Sequence, residues 1–285
     1  MRRQARSSLT VRPSEGTRMV LAVAAADAEG VSRVSERLAV RTSTGRLPVQ
    51  EVRDHHGGRF HVVDVPAGFG DPSGAVGWED DAEAPTDLAA GFSTEPPAPG
   101  SLRIEYACTV QGAESRPVGE PADLIRYVRP SRYAESDKLF RTAAASFGTL
   151  DGLDLLAAVD EWVHDHVHYV PGFSRGTDGA VDTFLARQGV CRDFAHLVVA
   201  LLRARNVPAR VVAAYAPGLD PMDFHAVAEA WVGDAWHLVD ATRLADTTTL
   251  LRISTGADSS DTAFLSTVRG GLYLDRISVD AVLLD

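Results

Sequence analysis

"RQGVCRDFAHLVVALLRARNVPAR", residues 187–210, carries a Gly-Val-Cys run straight into a long apolar segment. From Cys191 onward, Phe194, Leu197, Val198, Leu201 and Leu202 fall at the spacing of one helix face. The spacing predicts a helix with Cys191 at its first turn. Unpaired N–H groups and the helix dipole favour a thiolate there, and the thiolate is the nucleophilic form. The other reading is a small core residue, since free cysteine is among the most buried residue types. A base within reach, and a group to orient that base, would separate the two.

The run "FHAVAEAWVGDAWHLVDAT", residues 224–242, offers both. Two strand-like segments flank Gly233-Asp234, a pair suited to a two-residue hairpin turn. With that turn Val232 pairs with Ala235, His225 faces Thr242 and Val227 faces Asp240. His225, Glu229, Trp231, Trp236, Leu238 and Asp240 then share one face. The expected Cα separation of His225 and Asp240 is roughly 7–8 Å, a gap an imidazole and a carboxylate can span. Ala226, Ala228, Ala230 and Val232 form the opposite, apolar face, and His237 falls on the side away from Asp240. A three-residue turn would reverse this parity.

Around these segments the chain has two characters. Residues 1–120 alternate short β-branched runs ("RMVLAVAAA", "RLAVRT", "RFHVVDVPAG", "LRIEYACTV") with Gly, Pro, Asp and Ser clusters. This predicts a β-rich domain, read as a sandwich. The stretch 67–100, rich in Gly, Pro, Asp and Glu, is expected to be a long exposed loop. Residues 121–285 read as α+β, helices first and an antiparallel sheet after. Leu155, Leu156, Val159 and Val163 mark one helix; "VDTFLARQG" marks another, closed by Gly189.

Composition narrows the function. The chain has 285 residues, 45% of them hydrophobic, enough for a sizeable core. A net charge of −11 argues against a nucleic-acid surface. The apolar runs are too short for a membrane span, and no apolar leader follows the first arginines. Two cysteines, Cys108 and Cys191, make no disulfide framework, so a cytoplasmic location is expected. Cys108, inside a strand-like run, reads as core.

"GVCRDFAHL", "PMDFHAVAEAWVG" and "WHLVDAT" occur in the order Cys, His, Asp. Together with "WVHDHVHYVPGFS" and "SRY" at 131–133, they resemble the transglutaminase-like superfamily, in its bacterial cysteine protease branch. The resemblance implies a papain-like transglutaminase core: a Cys-bearing helix on an antiparallel sheet, here after the β-rich domain. It implies Cys191 as nucleophile, His225 as base and Asp240 as orienter. Tyr169 is a candidate for the oxyanion or substrate-binding role. The reaction expected is hydrolysis of a peptide or amide bond through a thioester, with a peptide or protein as substrate. Transamidation of protein glutamines by the same triad, or an inactive scaffold, are the alternatives. No cofactor is implied, and no run matches a calcium loop. His164 and His168 in "HDHVH" have the spacing of a helical zinc pair, with Asp165 in place of the usual glutamate.

Overall fold

The computed structural model describes residues 1–69, 92–115 and 117–284. The first strands are β1 (Arg2–Pro13), β2 (Arg18–Leu21), β3 (Val31–Arg41), β4 (Gln50–Arg53), β5 (Arg59–Asp64) and β6 (Leu102–Gly112). Then come α1 (Pro121–Arg126), α2 (Ser136–Phe147), α3 (Gly152–His166), β7 (His168–Tyr169), α4 (Ala180–Ala186), β8 (Gln188–Gly189) and α5 (Cys191–Ala204). The remainder is β9 (Ala209–Tyr215), β10 (Phe224–Val232), β11 (Ala235–Val239) and β12 (Leu251–Gly256), followed by α6 (Ser259–Thr262), β13 (Leu265–Arg269) and β14 (Leu272–Leu284). Of the loop expected at 67–100, residues 70–91 lie outside the described residues, and the flanking parts form no helix or strand. Among the described residues no helix is long and apolar enough to cross a membrane.

Contacts divide the chain into two compact units. One holds Met1–Glu114, Tyr215–Phe224 and Ala263–Asp285; the other holds Ser115–Ala214 and His225–Thr262. The expected single division after residue 120 differs from this in placing both 215–224 and 263–285 with the helices. For the last segment the physical reason is strand pairing, because β14 runs antiparallel along β1; for 215–224, the Tyr215 hydroxyl donates to the Val23 carbonyl at 2.7 Å.

The first unit has two four-stranded sheets, ordered β14-β1-β6-β3 and β13-β2-β5-β4. Along β1, Arg3, Ala5, Ser7, Leu9 and Val11 are buried in strict alternation, the period of a strand with one face inward. Leu9, Val11, Met19, Leu21, Val63 and Ile104 are fully buried. Between the sheets, Arg59 on β5 donates to Glu36 on β3 at 2.6 Å, and the Tyr106 hydroxyl donates to the same carboxylate at 2.7 Å.

The second unit centres on α5. Every residue from Asp193 to Ala204 is buried, so the apolar stripe read from the sequence is one side of a helix enclosed all round. α2, α3 and α4 pack against it. Leu139, Phe147, Val159 and Val163 join Leu197, Val198 and Leu201 in one core with Ala228, Ala230 and Val232 of the sheet. The sheet order is β11-β10-β9-β12. The alanine face of β10 thus meets the helices, and its small side chains admit close approach of the backbone. The other face carries a buried ionic knot, in which Glu229 accepts from Arg210 at 2.6 Å and from Arg252 at 2.7 Å.

Candidate active site

Cys191 opens α5, and local chemistry fixes that opening. The N-cap Val190 is extended, and its N–H donates to Asp193 Oδ2 at 2.8 Å. Asp193 is wholly buried; its other oxygen takes a bond from Arg192 at 2.8 Å. Arg192 also donates to Ser174 Oγ at 2.9 Å and to the Arg175 carbonyl at 2.8 Å. Gly189 does not close the preceding helix. That helix ends at Arg187, left-handed at φ 58°, and Gly189 pairs in the parallel β7–β8 ladder. A Cβ on Gly189 would stand 2.7 Å from the Asp193 Cβ, so its lack of a side chain is what admits the carboxylate beneath Val190.

The two thiols differ in setting. Cys191 is partly exposed at its helix tip. Cys108 is buried in β6, and burial pushes its thiol up to about 11, which suits an inert core residue.

The hairpin has the two-residue turn. Gly233 and Asp234 both lie at positive φ, 56° and 59°, as a type I′ turn requires. Val232 pairs with Ala235, Trp231 with Trp236 and Glu229 with Leu238. Continued two residues, this register sets Asp240 beside Val227 and diagonal to His225. The two side chains meet there: His225 Nε2 lies 2.9 Å from Asp240 Oδ2, and both residues are buried.

Asp240 is gripped from four directions. Oδ1 accepts the Thr242 hydroxyl at 2.6 Å and the Thr242 N–H at 3.1 Å; Oδ2 accepts the Ala245 N–H at 3.1 Å besides His225. Burial opposes ionisation of this carboxyl, but the bonds from His225, Thr242 and Ala245 outweigh it and hold its pKa below the ordinary range. For His225 burial likewise disfavours charge. The bond to Asp240 and the presence of Cys191, as hydrogen-bond and charge partner, overcome it and raise the ring from 6.5 to about 9. With Nε2 engaged by Asp240, Nδ1 is the nitrogen left to face sulfur.

Tyr169 lies on β7, whose ladder pairs it with Gly189, two residues before Cys191. Its ring packs near Phe194 of α5, with centroids 6.1 Å apart. The histidines of "HDHVH" do not share a helix, since α3 ends at His166 and His168 begins β7. His164 Nδ1 is 3.0 Å from the Ala241 carbonyl, tying α3 to the segment beside Asp240. Arg243, left-handed at φ 60°, reaches Asp160 of the same helix at 2.5 Å. Thr242 and this strap from α3 are the supports that sequence reading missed. The Asp-x-Thr spacing at 240–242 is the side-chain-to-backbone turn signal that could have found the first.

Trp231 and Trp236 pack edge to face at 5.6 Å, with the Arg210 guanidinium 3.8 Å over the Trp236 ring. They belong to the sheet's ionic face. One cavity of about 610 Å³ is lined by Asp240, Asp160, Arg243 and Leu156. Another of about 420 Å³ is lined by Ser174, Arg175, Asp178 and Gln188.

A cysteine at a buried helix's tip and a His-Asp pair on the adjoining sheet define a class of thiol-site folds. Residues 141–241 match the family described as the Transglutaminase-like superfamily. A solved structure from Cytophaga hutchinsonii, titled a "Putative Cysteine Protease", is similar over 100% of this chain and 91% of its own, at 30% identity and TM-score 0.81. An uncharacterized protein, ML0607, of Mycobacterium leprae is 29% identical over 133 residues, 44% of this chain and 46% of its own length. The chain thus spans under half the length of that curated relative. It belongs to the transglutaminase-like superfamily.

Proposed function

We propose that the chain is a thiol-dependent acyl-transfer enzyme that hydrolyses a peptide or amide bond, with Cys191, His225 and Asp240 as its triad. The observation carrying this reading is the buried His225–Asp240 bond of 2.9 Å on a ring whose proton affinity Cys191 also raises. In this mechanism the Cys191 proton passes to His225 Nδ1. Sulfur attacks the acyl carbon, the carbon–nitrogen bond breaks as His225 protonates the departing amine, and a thioester forms. Water, deprotonated by His225, then attacks the thioester and releases the acid and the thiol. Asp240 holds the ring in orientation and stabilises the imidazolium. The Cys191 N–H, in the first turn of α5 where N–H groups lack helical acceptors, would receive the developing oxyanion, with Tyr169 as second donor. A reducing compartment such as the cytoplasm would keep the nucleophile competent.

The first test is alkylation of the native chain with iodoacetamide near neutral pH, read by intact mass and peptide mapping. Modification of Cys191 and sparing of Cys108 are expected. An unreactive Cys191, together with unchanged activity in Cys191→Ala, would remove the proposal. Profiling with peptide libraries, with and without an added amine, then identifies the acceptor. Release of free acid supports hydrolysis, and dominant transfer to the amine would make the reaction transamidation.

A further inference from the structure

β14 is the edge of the sheet ordered β14-β1-β6-β3, and it is 13 residues long. A long edge strand offers a row of backbone donors and acceptors for a further strand, and folded proteins usually blunt such edges with short length or charge. The other edges of the first unit follow that rule. β4 and β13 have 4 and 5 residues, and β3 carries Arg33 and Glu36, each held in ion pairs. β14 does not. Tyr273 is 75% exposed, Leu283 50%, Leu274 41% and Val282 37%.

The sequence of this edge, "LYLDRISVDAVLL", is complementary to its own reverse about Ser278. Laid antiparallel on a second copy of itself, Ser278 meets Ser278, Ile277 meets Val279, and Arg276 meets Asp280 twice. Arg276 and Asp280 are both exposed and face the same side, pairing within the sheet with Thr10 and Arg6. Opposite charges directly across an antiparallel pair stabilise it, and like charges destabilise it. Beyond this centre the apolar end Leu272–Leu274 of one strand comes against Val282–Leu284 of the other. The one irregularity, a register shift against β1 at Asp275, lies outside the five central residues, and Asp275 is already bonded to Arg12 at 2.7 Å.

We propose that β14 is a homodimer interface: two copies of this chain pair antiparallel at this edge, about a two-fold axis at Ser278, joining two four-stranded sheets into one. Such an isologous contact closes on itself and leaves no open end for a third copy.

Sedimentation of the full chain across the micromolar range tests it. Wild-type is expected to approach dimer mass. Arg276→Asp sets Asp against Asp280 at both symmetric positions and should raise the dimer dissociation constant at least about tenfold. Asp280→Arg should do the same by setting Arg against Arg276. Mixing these two variants makes every cross-strand pair opposite in charge again, so heterodimers should form from chains that are separately monomeric. Circular dichroism and thermal melting verify that both variants stay folded. If one variant fails to fold, the double variant R276D/D280R, which restores complementarity within one chain, takes its place and should dimerise. A monomeric wild-type chain, a dimer indifferent to Arg276→Asp, or folded single variants whose mixture stays monomeric would each overturn the proposal.

Discussion

Two imidazoles lie buried in the second unit, His225 at 2% exposure and His196 at none, and they sit on opposite sides of neutrality. His225 is raised to about 9 and His196 lowered to about 4. Burial acts downward on both. The partners differ. His225 Nε2 faces a carboxylate that can only accept, so a proton on that nitrogen is stabilised. His196 Nε2 accepts the Ser259 N–H at 3.1 Å, which requires that nitrogen to be unprotonated, and the ring stacks on Tyr133. Asp258 lies near enough to act on His196, but its oxygens serve the Tyr133 and Ser260 N–H groups. Depth alone therefore does not set a histidine's state; the polarity of its partner does.

The strongest way to break this contrast is Asp240→Asn. The amide presents a donor as well as an acceptor, so the ring loses the charge that holds its proton. If the triad acts as proposed, hydrolysis should fall by about 10⁴-fold, the cost of a ring in the wrong tautomer. The His225 resonance should titrate at lower pH, moving toward the behaviour of His196. Unchanged turnover with an unchanged titration midpoint would show that Asp240 does not govern the ring.

The contrast also predicts opposite stability slopes. For His225 the folded pKa exceeds the ordinary 6.5, so its stabilisation is full below about 6.5 and is lost as pH rises through about 9. For His196 the folded pKa is depressed, so the unfolded chain takes up the proton first and stability is lost as pH falls from about 6.5 through about 4. Each limb is worth on the order of 3 kcal/mol. Melting curves from pH 4 to pH 9.5 would check this. His196→Phe should flatten the acid limb alone, and His225→Gln the alkaline limb alone. Variants that flatten the same limb would refute the assignment.

How much of this was legible follows from what period-2 and helical patterns encode. The hairpin was readable because Gly233-Asp234 admits one turn type and the turn fixes parity, which carried His225 and Asp240 to one face. The start of α5 was readable from its apolar spacing. β1 was not, since its inward face includes Arg3 and Ser7, which break the apolar alternation even though the burial alternates. Its pairing with β14, some 270 residues away in sequence, is a long-range fact that no local window contains. Gly189 looked like a helix stop because Gly usually is one; its task is set by Asp193, a neighbour only once the chain is folded. The strap from α3 to Arg243 rests on a left-handed arginine, which composition does not flag.

Thr242 gives the finest adjustment of the contrast, and the smallest expected effect. Its hydroxyl donates to Asp240 Oδ1 at 2.6 Å while its N–H bonds the same oxygen, and it accepts the Leu244 N–H at 3.2 Å. Thr242→Val keeps the shape and the Thr242 N–H bond but removes the acceptor of the Leu244 N–H and one charge-assisted donor, the latter a change of about 1.5–3 kcal/mol. With less support for its negative charge, Asp240 should ionise at higher pH. Its pull on His225 is geometrically intact, so the ring should stay protonated near neutrality. Turnover is then expected to fall about tenfold rather than 10⁴-fold, from looser orientation of the ring. Thr242→Ser retains the hydroxyl and should recover most of the loss. Equal defects in the valine and serine variants would mean that the threonine methyl, by packing, and not the hydroxyl, positions the carboxylate.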